Sequence, residues 1–152
     1  MLKELAIAFS ILGVCLVIHI SGIMLLVDRL VRRRESLARH ASPMVATALL
    51  MGVFIVIVVL HLIEAGLWAA FYYLNGLFDS VETATYFSLT TYSTVGYGDV
   101  FLPDRWRVLG TIEAISGVLL CGLSTAFLFA IINALFQFRV TQLDKDRIRK
   151  KS

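Results

Sequence analysis

Charge is what this sequence has least of: 16% of its 152 residues are Asp, Glu, Lys or Arg, while 59% are hydrophobic. A soluble domain carries about a quarter charged residues, because its core must be covered by solvated surface. The mean hydropathy of +0.83 and the long uncharged runs point to a bilayer instead. Cysteine is equally sparse. Cys15 and Cys121 both lie inside apolar runs, which excludes a disulfide framework and predicts two buried thiols acting as small hydrophobes. The sequence also lacks paired cysteines or histidines at metal-ligand spacing, a nucleophile–base constellation and a nucleotide-binding glycine loop. No enzyme, organic cofactor or nucleic-acid partner is therefore expected. With no proline- or glycine-rich linker and no internal repeat, one membrane domain is the economical reading.

Three apolar runs are long enough to cross a membrane. Residues 5–27 are interrupted only by Ser10, His19 and Ser21, and span about 34 Å as a helix, enough for a bilayer core. Lys3 ahead of the run invites a signal-peptide reading. The apolar stretch is too long for one, and arginines follow where a cleavage site should be, so a retained helix is favoured. Residues 44–74 form the second run, with Pro43 at a favourable first helical position. Residues 108–138 form the third. Both exceed the minimum, which permits tilt.

Between the second and third runs, residues 79–92 are too short and too polar to cross. Asp79 and Glu82 form a D-x-x-E arrangement that predicts a reciprocal helix cap, and Tyr86, Phe87 and Leu89 give the segment an apolar side. A helix that enters the membrane and stops halfway fits this pattern. Irregular backbone can follow it only where protein or water, not lipid, surrounds it.

Thr94-Val95-Gly96-Tyr97-Gly98-Asp99 comes directly after. A strand that points successive carbonyls the same way must alternate in handedness, and glycine tolerates positive φ at little cost. Gly96 and Gly98 stand at alternate positions, as such a strand requires. Rings of these carbonyls, with the Thr94 hydroxyl innermost, can replace the water of a dehydrated cation. Tyr97 faces away as a lateral brace, and Val95 packs behind the strand. One chain supplies one strand, so a ring needs fourfold symmetry. Four half-helices would aim the partial negative charge of their C-termini at a central cavity.

The stretch from Tyr92 to Asp99 resembles the filter of the two-transmembrane potassium channel pore family, and the resemblance extends over 44–138. It implies an all-α membrane fold of three transmembrane helices plus a re-entrant pore helix and filter loop, assembled as a homotetramer. It further implies potassium ions bound at Thr94, Val95, Gly96 and Tyr97 and no other cofactor. The parts are then an N-terminal helix at 1–30, a basic connection at 31–43, and the pore domain at 44–138. Within the pore domain lie an outer helix 44–74, a pore helix 79–92, a filter 94–99 and an inner helix 106–138; a basic tail follows at 139–152. By the same resemblance Gly117 is an inner-helix hinge and Gly122 a following small position, with close packing against the pore helix as the alternative for both. Val118, Cys121 and Thr125 would line the cavity, and Phe129 and Asn133 would lie where inner helices converge. Many relatives place a glutamate in the pore helix against the aspartate after the filter. This chain has Thr90 there, so Asp99 needs another support.

Charge sets orientation. Arg29, Arg32, Arg33, Arg34 and Arg39 crowd the first connection, and Arg139, Lys145, Arg147, Arg149, Lys150 and Lys151 crowd the tail. Three spans and a re-entrant segment put these two regions on one side, cytoplasmic by the positive-inside rule. The N-terminus is then outside a cell membrane, with Asp79, Glu82, Asp99 and Asp104 around the outer mouth. The arginines at 32–34 would secondarily attract anionic headgroups.

A few polar residues interrupt the spans. Glu113 is read as a hydrogen-bonding partner of the pore helix, through Thr90, Thr91 or Ser88, with proton sensing as the alternative. His61 and Glu64 share a helix face and are read as bonding each other or the first helix, where His19 could complete the contact. A pH switch is the rival reading. Trp106 and the run Phe71-Tyr72-Tyr73 are read as interfacial anchors. The first helix has no arginine repeat, so a voltage sensor is not expected, and 139–152 is too short for a regulatory domain. Gating by the pore, the first helix, lipid, protons or an unidentified partner stays open, as does a channel that is always open. A potassium-transporter subunit and a non-conducting regulatory subunit remain as rivals.

Overall fold

The segment Val53-Phe54-Ile55-Val56-Ile57-Val58-Val59 is rich in β-branched residues that favour strand in water. In hydrocarbon, a lone strand would leave every backbone amide without a partner, so the helix wins. The computed structural model describes residues 2–39 and 43–149; residues 1, 40–42 and 150–152, among them Lys150 and Lys151 of the expected tail, lie outside it. Helix α1 spans Leu2–Arg39, α2 Pro43–Leu74, α3 Val81–Tyr92 and α4 Arg107–Arg149, with a 3-10 turn at Asp104–Trp106 leading into α4. No strand occurs among the described residues. Three stretches are long and apolar enough to cross a membrane: Leu2–Arg32, Pro43–Leu74 and Asp104–Thr141. The fold is an all-helical, multi-pass membrane protein.

Two helices run further than the apolar pattern. α1 continues to Arg39 and α4 to Arg149, because neither basic segment contains the Gly or Pro that would stop a helix, and Arg, Lys and Glu are good helix formers. The α3 helix has 12 residues, about 18 Å long, against a hydrocarbon core of about 30 Å. It is therefore a half-span.

α3 packs against both α2 and α4, and α1 packs against the same two helices. The core gathers Ala8 and Cys15 of α1, Trp68 and Tyr72 of α2, Phe87 and Tyr92 of α3, and Leu109 and Leu120 of α4. Tyr72 sits edge-on to Phe87 at 5.4 Å, and Phe78 meets Phe87 at 5.1 Å. Lipid tails are as apolar as these rings, so burial alone gives no drive for the helices to associate. Close packing and hydrogen bonds between helices must supply it.

The anchoring belt expected at 71–73 is only partly correct. Tyr72 is fully buried and Tyr73 is exposed, because Tyr72 faces α4, where its hydroxyl finds a carboxylate. Trp106 packs edge-on against Phe71 at 6.1 Å. Cys15 is buried as expected, but Cys121 is exposed on the single chain, and both are free thiols.

Candidate functional site

Ser80, rather than the expected Asp79–Glu82 pair, starts the half-helix. Its backbone is extended, and its Oγ accepts from the Thr83 amide at 3.0 Å and meets Thr83 Oγ1 at 2.8 Å. A short serine side chain at the cap reaches an orphan amide directly, which a box shifted by one residue does not. At the other end, the carbonyls of the last turn are turned to use. Ser93 N donates to Leu89 O at 3.1 Å, Thr94 N to Thr91 O at 2.9 Å and Gly96 N to Thr90 O at 3.0 Å. The loop thus hangs from the end of α3 by its own backbone.

Handedness alternates along that loop. Thr94, Gly96 and Gly98 take positive φ of 61°, 50° and 75°. The two glycines follow the sequence expectation. Thr94 does not: it is a β-branched residue in a region that disfavours one, held there by the hydrogen bond its N–H donates to the Thr91 carbonyl. Residues 93–99 are all exposed on the single chain.

Thr90 supports this loop through its carbonyl and not its side chain. Its hydroxyl donates back to Phe87 O at 3.0 Å. Asp99 is instead held by Tyr86, whose hydroxyl donates to Asp99 Oδ2 at 2.7 Å. The Tyr86 ring also stacks on Tyr97, 6.5 Å away and 9° from parallel. One tyrosine, four residues before the silent Thr90, thus braces both the end and the flank of the loop. Sequence reasoning missed it, although an aromatic hydroxyl on the apolar side of a short helix was a usable signal.

Glu113 is completely buried. Of its three expected partners the structure selects Ser88, whose Oγ lies 2.5 Å from Oε1, and adds Tyr72, which donates to Oε2 at 2.7 Å. Ser88 Oγ also lies 2.6 Å from the Ala65 carbonyl. Glu113 therefore ties α4 to α3 and α2 at one point. One turn on, the backbones themselves touch: a Cβ added at Gly117 would overlap the Tyr92 carbonyl oxygen. This is the close-packing reading of Gly117, and it accounts for the glycine without a hinge. Nothing in the chain lies within 4 Å of a Cβ at Gly122.

Val118, Cys121, Thr125, Phe129 and Asn133 all project from the opposite side of α4 and are exposed. The Thr125 hydroxyl is spent on the Cys121 carbonyl at 2.9 Å. The residues expected to line a cavity thus form one stripe that the chain itself leaves uncovered.

The model for the ion-channel family matches residues 56–134, from the middle of α2 through α3, the loop and most of α4. That is just over half of the chain. The chain belongs to the ion-channel family. No curated protein matches, and no solved structure does. The match leaves α1 outside it, as an addition to the channel's conducting part.

Where α1 meets that part, the channel carries a second polar cluster. His19 Nδ1 lies 2.7 Å from Glu64 Oε1, as anticipated, and His61 Nδ1 is 3.3 Å from Glu64 Oε2. Sequence reasoning did not anticipate Tyr92 and Ser124, which join them from α3 and α4. Nitrogen and oxygen atoms of the trio His19, His61 and Glu64 lie within 4.8 Å of one another, a spacing that metal ligands also show. Each of those atoms also lies within hydrogen-bonding distance of a neighbour, so the cluster as it stands is a hydrogen-bonded network.

Proposed function

We propose that this chain is the subunit of a homotetrameric channel selective for potassium. The observation that carries the reading is the loop at 94–98, whose positive φ values alternate with residues of ordinary handedness. That alternation turns consecutive carbonyls to one side, and four such strands would give each ion a full oxygen cage. Thr94, Val95, Gly96 and Tyr97 are the ligands in this reading, and Asp99 closes the outer end.

The exposure of residues 93–99 supports assembly. Irregular backbone cannot face lipid, because every bare amide costs several kcal/mol there. The loop therefore needs copies of the chain on its flanks and ions or water on its axis. The free stripe Val118, Cys121, Thr125, Phe129 and Asn133 would then face the shared cavity, with Gly117 and Gly122 behind it. Twelve-residue helices ending at Tyr92 would point their negative ends at the same cavity and favour a cation there. By the positive-inside rule the basic extensions of α1 and α4 favour a cytoplasmic side for both, which would leave the N-terminus outside and the arginines near anionic headgroups.

The deciding experiment is a bilayer recording of the purified chain in asymmetric potassium and sodium. The reversal potential is expected to follow the potassium gradient, and one that ignores it would overturn the reading. Gly98→Ala puts a side chain on a residue at φ 75°, at a cost of about 1–2 kcal/mol per subunit. It is expected to abolish the preference for potassium over sodium while leaving the protein assembled.

A further inference from the structure

The polar cluster beside α1 closes on itself. His19 Nδ1 meets Glu64 Oε1 at 2.7 Å, Glu64 Oε2 meets the Tyr92 hydroxyl at 2.5 Å, and that hydroxyl meets His61 Nδ1 at 2.9 Å. On the other side, His61 Nε2 meets Ser124 Oγ at 3.1 Å, and Ser124 Oγ returns to His19 Nε2 at 2.9 Å. These five contacts form a ring through α1, α2, α3 and α4. His19 and Glu64 are fully buried, and only the His61 side chain, 20% exposed, reaches an edge.

Counting hydrogens decides what the ring contains. A carboxylate, two neutral imidazoles, a phenol and a hydroxyl carry four exchangeable hydrogens between them. Five contacts need five. One more proton, on the carboxyl or on either imidazole, gives every contact a hydrogen. A second extra proton fills no further contact: with both imidazoles charged, Ser124 accepts from both and donates to neither, and the buried assembly carries a net positive charge. With one extra proton the assembly is also electrically neutral, the state least costly in a membrane interior. The other titratable groups bearing on the ring are Cys15 of α1 and Cys121 of α4, with Glu113 of α4 reaching Cys15. On α2 and α3 the facing titratable groups are ring members themselves, and Tyr92 keeps its own hydroxyl proton throughout.

We propose that His19, His61, Glu64, Tyr92 and Ser124 form a proton-binding site that holds one exchangeable proton jointly. The ring ties the first helix to the root of the filter while that proton is aboard. The exposed edge of His61 is the route by which the proton enters and leaves. Tyr92 is the last residue of α3, and its backbone carbonyl abuts Gly117, so opening the ring loosens the base on which Thr94 stands. The link to conduction rests on the proposed function; the proton site does not.

The test is the pH dependence of unfolding of the purified full chain in detergent. In the unfolded chain the carboxyl titrates near about 4.3 and the imidazoles near about 6.5. Between those values the unfolded groups hold one proton more than the ring, so stability rises with pH. Above about 6.5 they hold one fewer, so stability falls. The folded-to-unfolded ratio attributable to the ring should peak near the imidazole value and change about tenfold per pH unit on each limb.

In Glu64→Gln the amide donates to His19 and accepts from Tyr92 without borrowing a proton, so the alkaline limb should vanish. Ser124→Ala removes two contacts and leaves enough hydrogens for the rest, so it should flatten the same limb by another route. An alkaline limb that survives in both variants overturns the assignment. So does a melting temperature that zinc chloride raises in the wild type and not in Glu64→Gln, which would make the cluster a metal site.

Potassium flux from liposomes completes the experiment. Flux falling over the alkaline limb in the wild type, and not in Glu64→Gln, supports the link to the filter. Flux indifferent to pH while the limbs are present overturns that link. Limbs present without flux at any pH support the ring and overturn the proposed conduction.

Discussion

At Gly117 the absence of a side chain lets two backbones meet, and the neighbour is the carbonyl of Tyr92, which a flexible side chain cannot replace. Because backbone cannot step aside cheaply, Gly117→Ala must push α4 away from the end of α3. A loss of about 1–3 kcal/mol is expected, seen as a lower unfolding midpoint in detergent, and an unchanged midpoint would contradict the close approach. Glu113 makes the opposite demand, for a specific polar end. Ser88 Oγ stands near both Glu113 Oε1 and the Ala65 carbonyl, and its single hydroxyl hydrogen cannot serve two acceptors. Glu113→Gln brings a hydrogen of its own and should leave stability nearly intact. Glu113→Ala strands the buried Tyr72 hydroxyl and should cost about 1–3 kcal/mol or more. Equal loss in the two variants would show that volume and not hydrogen bonding holds this point. Glu113 was legible in the sequence because a carboxylate in an apolar run must have partners. Tyr72 was not, since its hydropathy and position at the end of a span suit an interfacial anchor equally well.

At the scale of the helix, α3 shows how local chemistry sets a boundary. The Asp79–Glu82 spacing fits a capping box, yet Ser80 holds the capping geometry because its extended backbone points Oγ at the Thr83 amide. Ser80→Ala is expected to lower stability by about 1 kcal/mol without altering ion selectivity, since the cap lies at the far end of α3 from the loop. A change in the potassium-to-sodium permeability ratio would mean that the whole half-helix tilts when its cap is lost. The three spans were readable because lipid allows a single chain segment few alternatives. The face that each span turns to its neighbours was not. A helix apolar all round carries no amphipathic stripe to fix its rotation, and only its polar residues report it. His19, His61 and Glu64 pointed to a contact between α1 and α2. Tyr92 and Ser124 stayed hidden, because a tyrosine at a helix end and a serine in an apolar run have many ordinary uses.

For the molecule as a whole, two surfaces of α4 have different fates. One buries Leu109, Ile112, Glu113, Ser116 and Leu120 within the chain. The other leaves Val118, Cys121, Thr125, Phe129 and Asn133 uncovered, and the Asn133 amide on it is poorly suited to lipid. The expectation that Cys121 would be buried failed because a single sequence gives hydropathy, and hydropathy does not separate a wall of lipid from a wall of water-filled cavity. The two thiols now distinguish these environments. In the proposed tetramer Cys121 is wetted by the cavity, while Cys15 is enclosed by its own chain. A small charged thiol reagent applied from the cytoplasmic side of proteoliposomes should therefore block potassium flux in the wild type and in Cys15→Ser. Cys121→Ser should be immune. Four copies of Cys121 would face one axis, so modification of a fraction of subunits should block a larger fraction of channels, and the loss of flux should run ahead of the loss of free thiol. Flux lost in step with thiol, or block that persists in Cys121→Ser, would remove this face of α4 from the conduction path.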